Sequence, residues 1–135
     1  MTDRIGFNRP AMPEAAYRYL REAVRNMHLS GDGPFTRRCH ALLERVTGAP
    51  KVLLTTSCTH ALEMAALLLD VRPGDEVVVP SFTFVSTANA FVLRGARVVF
   101  ADVRPDTLNL DEKQLPHLLA RRTRAVVPVH YAGVA

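Results

Sequence analysis

The second part of the chain alternates between short apolar runs and segments with helical character, and this alternation restricts the fold more than any other feature. Glu76-Val-Val-Val-Pro80 is apolar after its first residue, and three further runs resemble it. Apolar strands that are separated by helices are typical of a parallel sheet covered on both faces. We therefore predict an α/β fold with a mostly parallel sheet and strands at 51–55, 76–80, 96–103 and 125–131.

The first 48 residues carry a helical pattern instead. Tyr17, Leu20 and Val24 recur at helical spacing, and Gly31-Asp-Gly-Pro34 ends that helix. A second helix is predicted from Phe35, with Gly48 as its C-terminal cap. We thus divide the chain into an N-terminal helical segment, 1–48, and a sheet-containing domain, 49–135.

Composition and charge exclude several classes of function. The net charge of +4 comes from scattered arginines, so a nucleic-acid partner is not expected. Two cysteines and five dispersed histidines predict neither a disulfide framework nor a metal site. No apolar run approaches the roughly 20 residues that span a bilayer, and the N-terminus has no apolar signal core. We expect a cytoplasmic protein without a membrane partner.

The stretch Thr55-Thr-Ser-Cys-Thr59 joins the run at 51–55 to a helix without any glycine. A helix N-terminus presents unpaired N–H groups and a positive dipole end, which suit a phosphate. Ser57, Cys58 and Thr59 are the candidate ligands. Ordinary capping by Ser57 or Thr59 explains the same residues. Neither a P-loop nor a GxGxxG pattern occurs.

A second loop, Pro80-Ser-Phe-Thr-Phe-Val-Ser-Thr87, follows the next strand. Right-handed crossovers would bring both loops to the carboxyl edge of the sheet, where ligands bind in open α/β sheets. Phe82 and Phe84 could stack on a flat heteroaromatic cofactor there. Alternatively, both rings fill the core between helix and sheet.

Several loops agree, in order and spacing, with one known family. LLTTSCTHALEMAALLLD (53–70), PSFTFVSTANA (80–90), FADVRPDTLNLD (100–111) and TRAVVPVHYAGVA (123–135) resemble the DegT/DnrJ/EryC1/StrS family of sugar-nucleotide aminotransferases. The likeness runs from about residue 31 to residue 135. It implies the aspartate-aminotransferase-like fold type I, with pyridoxal 5′-phosphate as cofactor, and a homodimer. It also implies amino transfer from glutamate to a 4-keto-6-deoxy sugar nucleotide such as dTDP-4-dehydro-6-deoxyglucose, for cell-surface polysaccharides such as enterobacterial common antigen.

The resemblance assigns roles to a limited set of residues. Ser57, Cys58 and Thr59 match the turn that binds the cofactor phosphate, although Cys58 replaces a smaller residue. Phe84 matches the aromatic that stacks on the pyridine ring, which leaves Phe82 to packing. The remaining matches have no firm catalytic role: Ser86, Thr87 and Asn89 as structural support, His130 and Tyr131 near the cofactor, and Gly31, Asp32 and Gly33 near the dimer interface and active-site entrance.

The reactive half of such a site is not expected in this chain. Transamination needs a Schiff-base lysine and a carboxylate against the pyridinium nitrogen. Lysine occurs only at positions 51 and 113, at a strand start and on a surface helix, so we assign no catalytic residue. The resemblance implies an incomplete large domain over 49–135, truncated after the fourth strand and inactive alone.

Three alternatives stay open. The full protein could be a sugar dehydratase of the same family, in which the lysine is replaced. The chain could be a non-catalytic, self-associating fragment. Lastly, Cys58 at a helix N-terminus could act as a nucleophile, with His60 or His130 as its base.

Overall fold

The structure, a computed structural model, describes residues 9–135. The chain divides into two compact units, the first ending at Leu54 and the second beginning at Thr55. None of the helices in the described part of the chain combines the length and apolar character needed to cross a bilayer.

The first unit contains two helices, α1 (Glu14–Arg25) and α2 (Pro34–Thr47). Pro34 occupies the start of α2, where its missing N–H costs nothing. Gly48 ends α2 with φ of 72°, a left-handed conformation that favours glycine, so the predicted cap is confirmed.

The run at 51–55 was predicted as a strand, and this prediction is wrong. No residue from Lys51 to Thr55 is in a strand. Two of its N–H groups bond to side chains of α2 instead: Val52 donates to Glu44 Oε1 at 3.2 Å, and Leu54 donates to His40 Nε2 at 2.9 Å. A strand requires a neighbouring strand for its ladder, and among the described residues none pairs with this run.

The second unit has three parallel strands, with β1 in the centre and the order β2-β1-β3. Its elements are α3 (Cys58–Leu68), β1 (Glu76–Pro80), α4 (Ser86–Val92), β2 (Arg97–Ala101), α5 (Leu115–Leu118) and β3 (Thr123–Val126), with short 3-10 turns at Glu112–Gln114 and Tyr131–Gly133. The predicted parallel α/β sheet is confirmed.

Apolar side chains cover both faces of the central strand. Val77 and Val79 pack into a core with Phe91 of α4, whereas Val78 packs with Leu110 on the other face. Every residue of β1 is buried. Burial on both faces explains why this strand is a continuous apolar run rather than an alternating pattern.

Two helices of the second unit are short. α4 begins at Ser86, and the Thr87 N–H bonds to the Phe84 carbonyl just before it. The 3-10 turn at Glu112–Gln114 leads directly into α5, which ends after one turn because the chain is extended again at Leu119. A reciprocal pair of hydrogen bonds between Ala120 and Thr123 then turns the chain into β3.

Candidate functional site

The start of α3 is a capped helix end with spare N–H groups. Ser57 is the N-cap residue, and its Oγ accepts a hydrogen bond from the His60 N–H at 3.1 Å. Its carbonyl accepts from Ala61. Among the hydrogen bonds of residues 9–135, none uses the N–H groups of Cys58 or Thr59. The first turn therefore offers two donors, together with the positive end of the helix dipole, to an anion.

One hydrogen bond connects this helix start to the loop after β1. Thr59 Oγ1 donates to Ser86 Oγ at 3.0 Å; Thr59 is the second residue of α3 and Ser86 is the first residue of α4. The contact is partly buried. Because a hydroxyl rotates to suit its partner, the same two groups can turn toward an anion placed at the helix start. The structure thus brings together the two polar loops that the sequence singled out.

Neither loop phenylalanine fills the core. Phe84 is 74% exposed and Phe82 is 45% exposed. Phe82 packs against Tyr131, with ring centroids 4.8 Å apart and an angle of 40° between the rings. Phe84 lies two positions before Ser86, and its exposed ring is available for stacking on a flat ligand. The alternative that both rings fill the core is wrong.

The loop after β3 joins the same edge of the sheet through Tyr131 and an asparagine that the sequence analysis missed. Asn109 Oδ1 accepts from the Tyr131 N–H at 2.9 Å, and Asn109 Nδ2 donates to the Val134 carbonyl at 3.0 Å. The available signal was a polar residue between Leu108 and Leu110, in the loop that follows a parallel strand. The carboxyl ends of all three strands therefore contribute to one surface.

Within residues 9–135, Thr87 and the glycine-containing turn at 31–33, which were also taken from the resemblance, have no direct part in this arrangement of loops. Thr87 is buried, and its hydroxyl pairs with Thr83 at 2.8 Å, as a support for the loop would. Gly31, Asp32 and Gly33 belong to the first unit, in the turn between α1 and α2.

The thiol alternative gains no geometric support. His60 Nδ1 is hydrogen-bonded to the Thr56 hydroxyl. Cys58 is exposed, and within residues 9–135 no hydrogen bond joins it to His60 or to His130. In the same range, no three side chains of the metal-binding types cluster as a metal site requires.

Neither lysine is placed as a reactive amine. Lys51 is exposed in the first unit, with its Nζ 3.6 Å from Glu44 Oε1. Lys113 lies in the exposed 3-10 turn before α5.

The loop after β2 contains a cluster of charged side chains around Arg104. Arg104 donates two hydrogen bonds to Asp106, at 3.1 and 2.8 Å, and a third to Glu112 at 3.3 Å. The hydrogen bonds from Arg104 lower the pKa of Asp106 to about 2. Arg104 and Asp106 neutralise each other, and Glu112 leaves this exposed cluster with a net charge of −1.

Comparison with known proteins gives a consistent result. Residues 10–135 match the DegT/DnrJ/EryC1/StrS aminotransferase family. The UDP-4-amino-4-deoxy-L-arabinose–oxoglutarate aminotransferase of Shewanella sediminis is 36% identical over 127 residues, which are 94% of this chain and 32% of that protein.

Solved structures agree with the sequence match. A Streptococcus pneumoniae protein assigned as a sugar aminotransferase, in its PLP form, superposes with a TM-score of 0.86 at 32% identity, over 97% of this chain and 33% of its own. The aminotransferase TlmJ from Streptoalloteichus hindustanus gives 0.81 at 38% identity, over 91% and 34%. The chain spans about a third of the length of each of these relatives.

Proposed function

This chain belongs to the DegT/DnrJ/EryC1/StrS aminotransferase family, and from that premise we propose that it supplies the phosphate-binding and ring-stacking half of a pyridoxal 5′-phosphate site. The observation that carries the proposal is the hydrogen bond from Thr59 to Ser86, because it holds the α3 start next to the loop that bears Phe84. A phosphate anchor and an aromatic ring are the two contacts such a cofactor needs.

The residues present fit the cofactor. The N–H groups of Cys58 and Thr59 face no acceptor among the described residues, and the hydroxyls of Ser57 and Thr59 lie in the same turn. Phe84 offers an exposed ring. When bound, pyridoxal phosphate supplies an electron sink for bond breaking at the α-carbon of an amino acid. The residues named here bind and orient it, and they move no proton.

The proposed reaction of the whole protein is amino transfer from glutamate to a nucleotide-linked 4-keto sugar. The Shewanella relative is named for a UDP-linked 4-amino-4-deoxy sugar and for oxoglutarate, which is the keto form of glutamate. The 4-keto-6-deoxy sugar nucleotide expected from the sequence is a narrower choice within this class. Comparing UDP- and dTDP-linked 4-keto sugars as acceptors in the whole protein decides between them.

Association into a homodimer is part of the same proposal. Large apolar side chains are more than half exposed on α3, on α4 and at the residue after α4: Leu67, Leu68, Val92 and Leu93. Exposed apolar surface of this kind favours burial against a partner. Sedimentation analysis tests the dimer, and cell fractionation tests the proposed cytoplasmic location.

Equilibrium dialysis of pyridoxal phosphate against the 135-residue chain tests the site. We expect binding that Thr59→Ala and Phe84→Ala each weaken about three- to tenfold, since a hydrogen bond or an aromatic contact contributes about 1 kcal/mol. Matched controls are Thr36→Ala, whose hydroxyl makes no hydrogen bond among the described residues, and Phe100→Ala, an exposed ring on β2. Equal weakening by the controls contradicts the proposal.

The chain alone should not transaminate. Neither Lys51 nor Lys113 lies in the loops that form the site. Incubation with pyridoxal phosphate, glutamate and a 4-keto sugar nucleotide should therefore give no 2-oxoglutarate. Turnover by the isolated chain would show that this assignment of roles is wrong.

A further inference from the structure

One side chain from another loop, Asn109, bonds the loop after β3 at two points through its amide. Its Oδ1 accepts from the Tyr131 N–H at 2.9 Å, and its Nδ2 donates to the Val134 carbonyl at 3.0 Å. The two partners lie 22 and 25 positions away along the chain. An asparagine amide that bonds two backbone groups in this way replaces the ladder that a strand would have provided.

Asn109 is itself held firmly. Its backbone carbonyl accepts a hydrogen bond from the Arg104 backbone N–H at 2.9 Å, and its backbone N–H donates to Thr107 Oγ1 at 3.3 Å. The next residue, Leu110, is buried against Val78 and pairs with Val103 in an isolated antiparallel bridge. The amide is therefore presented from a rigid turn next to the core.

The loop that Asn109 holds contains a strained residue, although the Gly133 N–H donates to the His130 carbonyl and the Val134 N–H to the Tyr131 carbonyl within it. Ala132 has φ of 53°, a left-handed conformation that is unfavourable for an alanine. The 3-10 turn around it spans only Tyr131–Gly133. A strained turn of this kind persists when contacts with neighbouring residues stabilise it. Asn109 provides such contacts, because it bonds to Tyr131 before Ala132 and to Val134 after it.

One aromatic contact connects the loop after β3 to the candidate site. Tyr131 packs on Phe82 at 4.8 Å between ring centroids, and Phe82 belongs to the same loop as Phe84. We propose that Asn109 is a positioning residue: it holds Tyr131 against Phe82 and so fixes the loop whose Phe84 ring faces the ligand. The effect on the ligand rests on the proposed function, whereas the effect on the loop does not.

NMR spectroscopy of the full chain tests the role of Asn109 in the loop. Asn109→Ala should abolish the cross-relaxation between the Phe82 and Tyr131 rings and accelerate hydrogen exchange of the Tyr131 amide about tenfold, the effect of losing one or two hydrogen bonds. Asn26→Ala, an exposed asparagine at the end of α1, is the matched control and should change neither. Wild-type exchange and cross-relaxation in Asn109→Ala would overturn the proposal.

A second variant separates the two hydrogen bonds. Asn109→Asp keeps the acceptor for Tyr131 and removes the donor for Val134, so order should be lost at Val134 first, as measured by backbone ¹⁵N relaxation. If Asn109→Ala does not fold, this variant decides alone: unchanged order at Val134 overturns the proposal.

Ligand affinity tests the second half of the inference. Pyridoxine 5′-phosphate, which has no aldehyde to react with lysines, should bind Asn109→Ala about three- to tenfold more weakly than wild type, the loss of roughly one hydrogen bond's contribution. Unchanged affinity together with a lost Phe82–Tyr131 contact would overturn the role toward the ligand. If the wild-type chain does not bind this ligand, the proposed function is wrong. The hydrogen-exchange and cross-relaxation results still test the role of Asn109 in the loop.

Discussion

The hydroxyl of Thr59 donates a hydrogen bond to the hydroxyl of Ser86 over 3.0 Å, although 27 positions separate the two residues. This bond lies where α3 and α4 begin. Thr59 is in the turn with spare N–H groups, and Ser86 follows the exposed ring of Phe84 by two positions. The proposed site therefore depends on how well this pair keeps the two loops together.

A double-mutant cycle measures that coupling. Thr59→Val and Ser86→Ala should each reduce the free energy of unfolding by about 1 kcal/mol, and the double variant should lose clearly less than their sum. Urea denaturation provides the three values. Strict additivity would show that the two hydroxyls do not stabilise the fold through each other.

Two substitutions of Ser57 distinguish helix capping from phosphate binding. Ser57→Ala should cost about 1 kcal/mol of unfolding free energy, because the His60 N–H loses its acceptor. Ser57→Asp restores a capping acceptor and should regain most of this stability. The added carboxylate repels a phosphate at the same turn, so the aspartate variant should bind pyridoxal phosphate more weakly than Ser57→Ala does. Tighter binding by Ser57→Asp than by Ser57→Ala would show that the phosphate does not bind at this turn.

Phe91 is the test of the core. It is 2% exposed and packs with Val77 and Val79, so Phe91→Ala should reduce the free energy of unfolding by about 3–5 kcal/mol. Phe100→Ala, at a ring that is 59% exposed, is the control and should cost far less. Similar losses of unfolding free energy in the two variants would contradict the packing of Phe91 between α4 and the sheet.

Asp106 provides a pH-dependent prediction with a defined sign. Hydrogen bonds from Arg104 lower its pKa from 3.8 to about 2 in the folded chain. The ionised carboxylate thus stabilises the fold above the unfolded pKa, and this contribution is lost as the pH falls from about 3.8 toward 2.

An NMR titration of the Asp106 carboxyl carbon checks this value. Arg104→Gln should move the pKa back toward 3.8, and Arg121→Gln, at an exposed arginine in the turn before β3, should not. A midpoint near 3.8 in the wild-type chain would contradict the Arg104–Asp106 pair.

The sequence was sufficient to predict the elements whose signals are local. The continuous apolar run of β1 and the glycine at the end of α2 each depend on a few neighbouring residues, and both predictions are confirmed. Pro80-Ser-Phe-Thr-Phe84 was likewise placed correctly at the carboxyl end of a parallel strand.

Features that depend on distant partners were not predictable in this way. The run at 51–55 has the composition of a strand, but no strand within the described residues pairs with it. The Thr59–Ser86 bond and the two bonds of Asn109 cross 22 to 27 positions, and no spacing rule indicates them. The resemblance to a family predicted Ser57, Cys58, Thr59 and Phe84 as cofactor ligands, which stays a prediction, whereas the contacts of Asn109 are evident only from the geometry.

Mapping of ligand-induced chemical shifts tests whether the start of α3 binds the cofactor phosphate. Pyridoxine 5′-phosphate is added to ¹⁵N-labelled chain, with pyridoxine, which lacks the phosphate, as the matched ligand. We expect the phosphate ester to shift the amide signals of Cys58 and Thr59 most strongly, with a smaller change at Phe84. Pyridoxine should leave the signals of Cys58 and Thr59 nearly unchanged. Shifts of equal size with both ligands, or shifts confined to residues outside these two loops, would contradict phosphate binding at the start of α3.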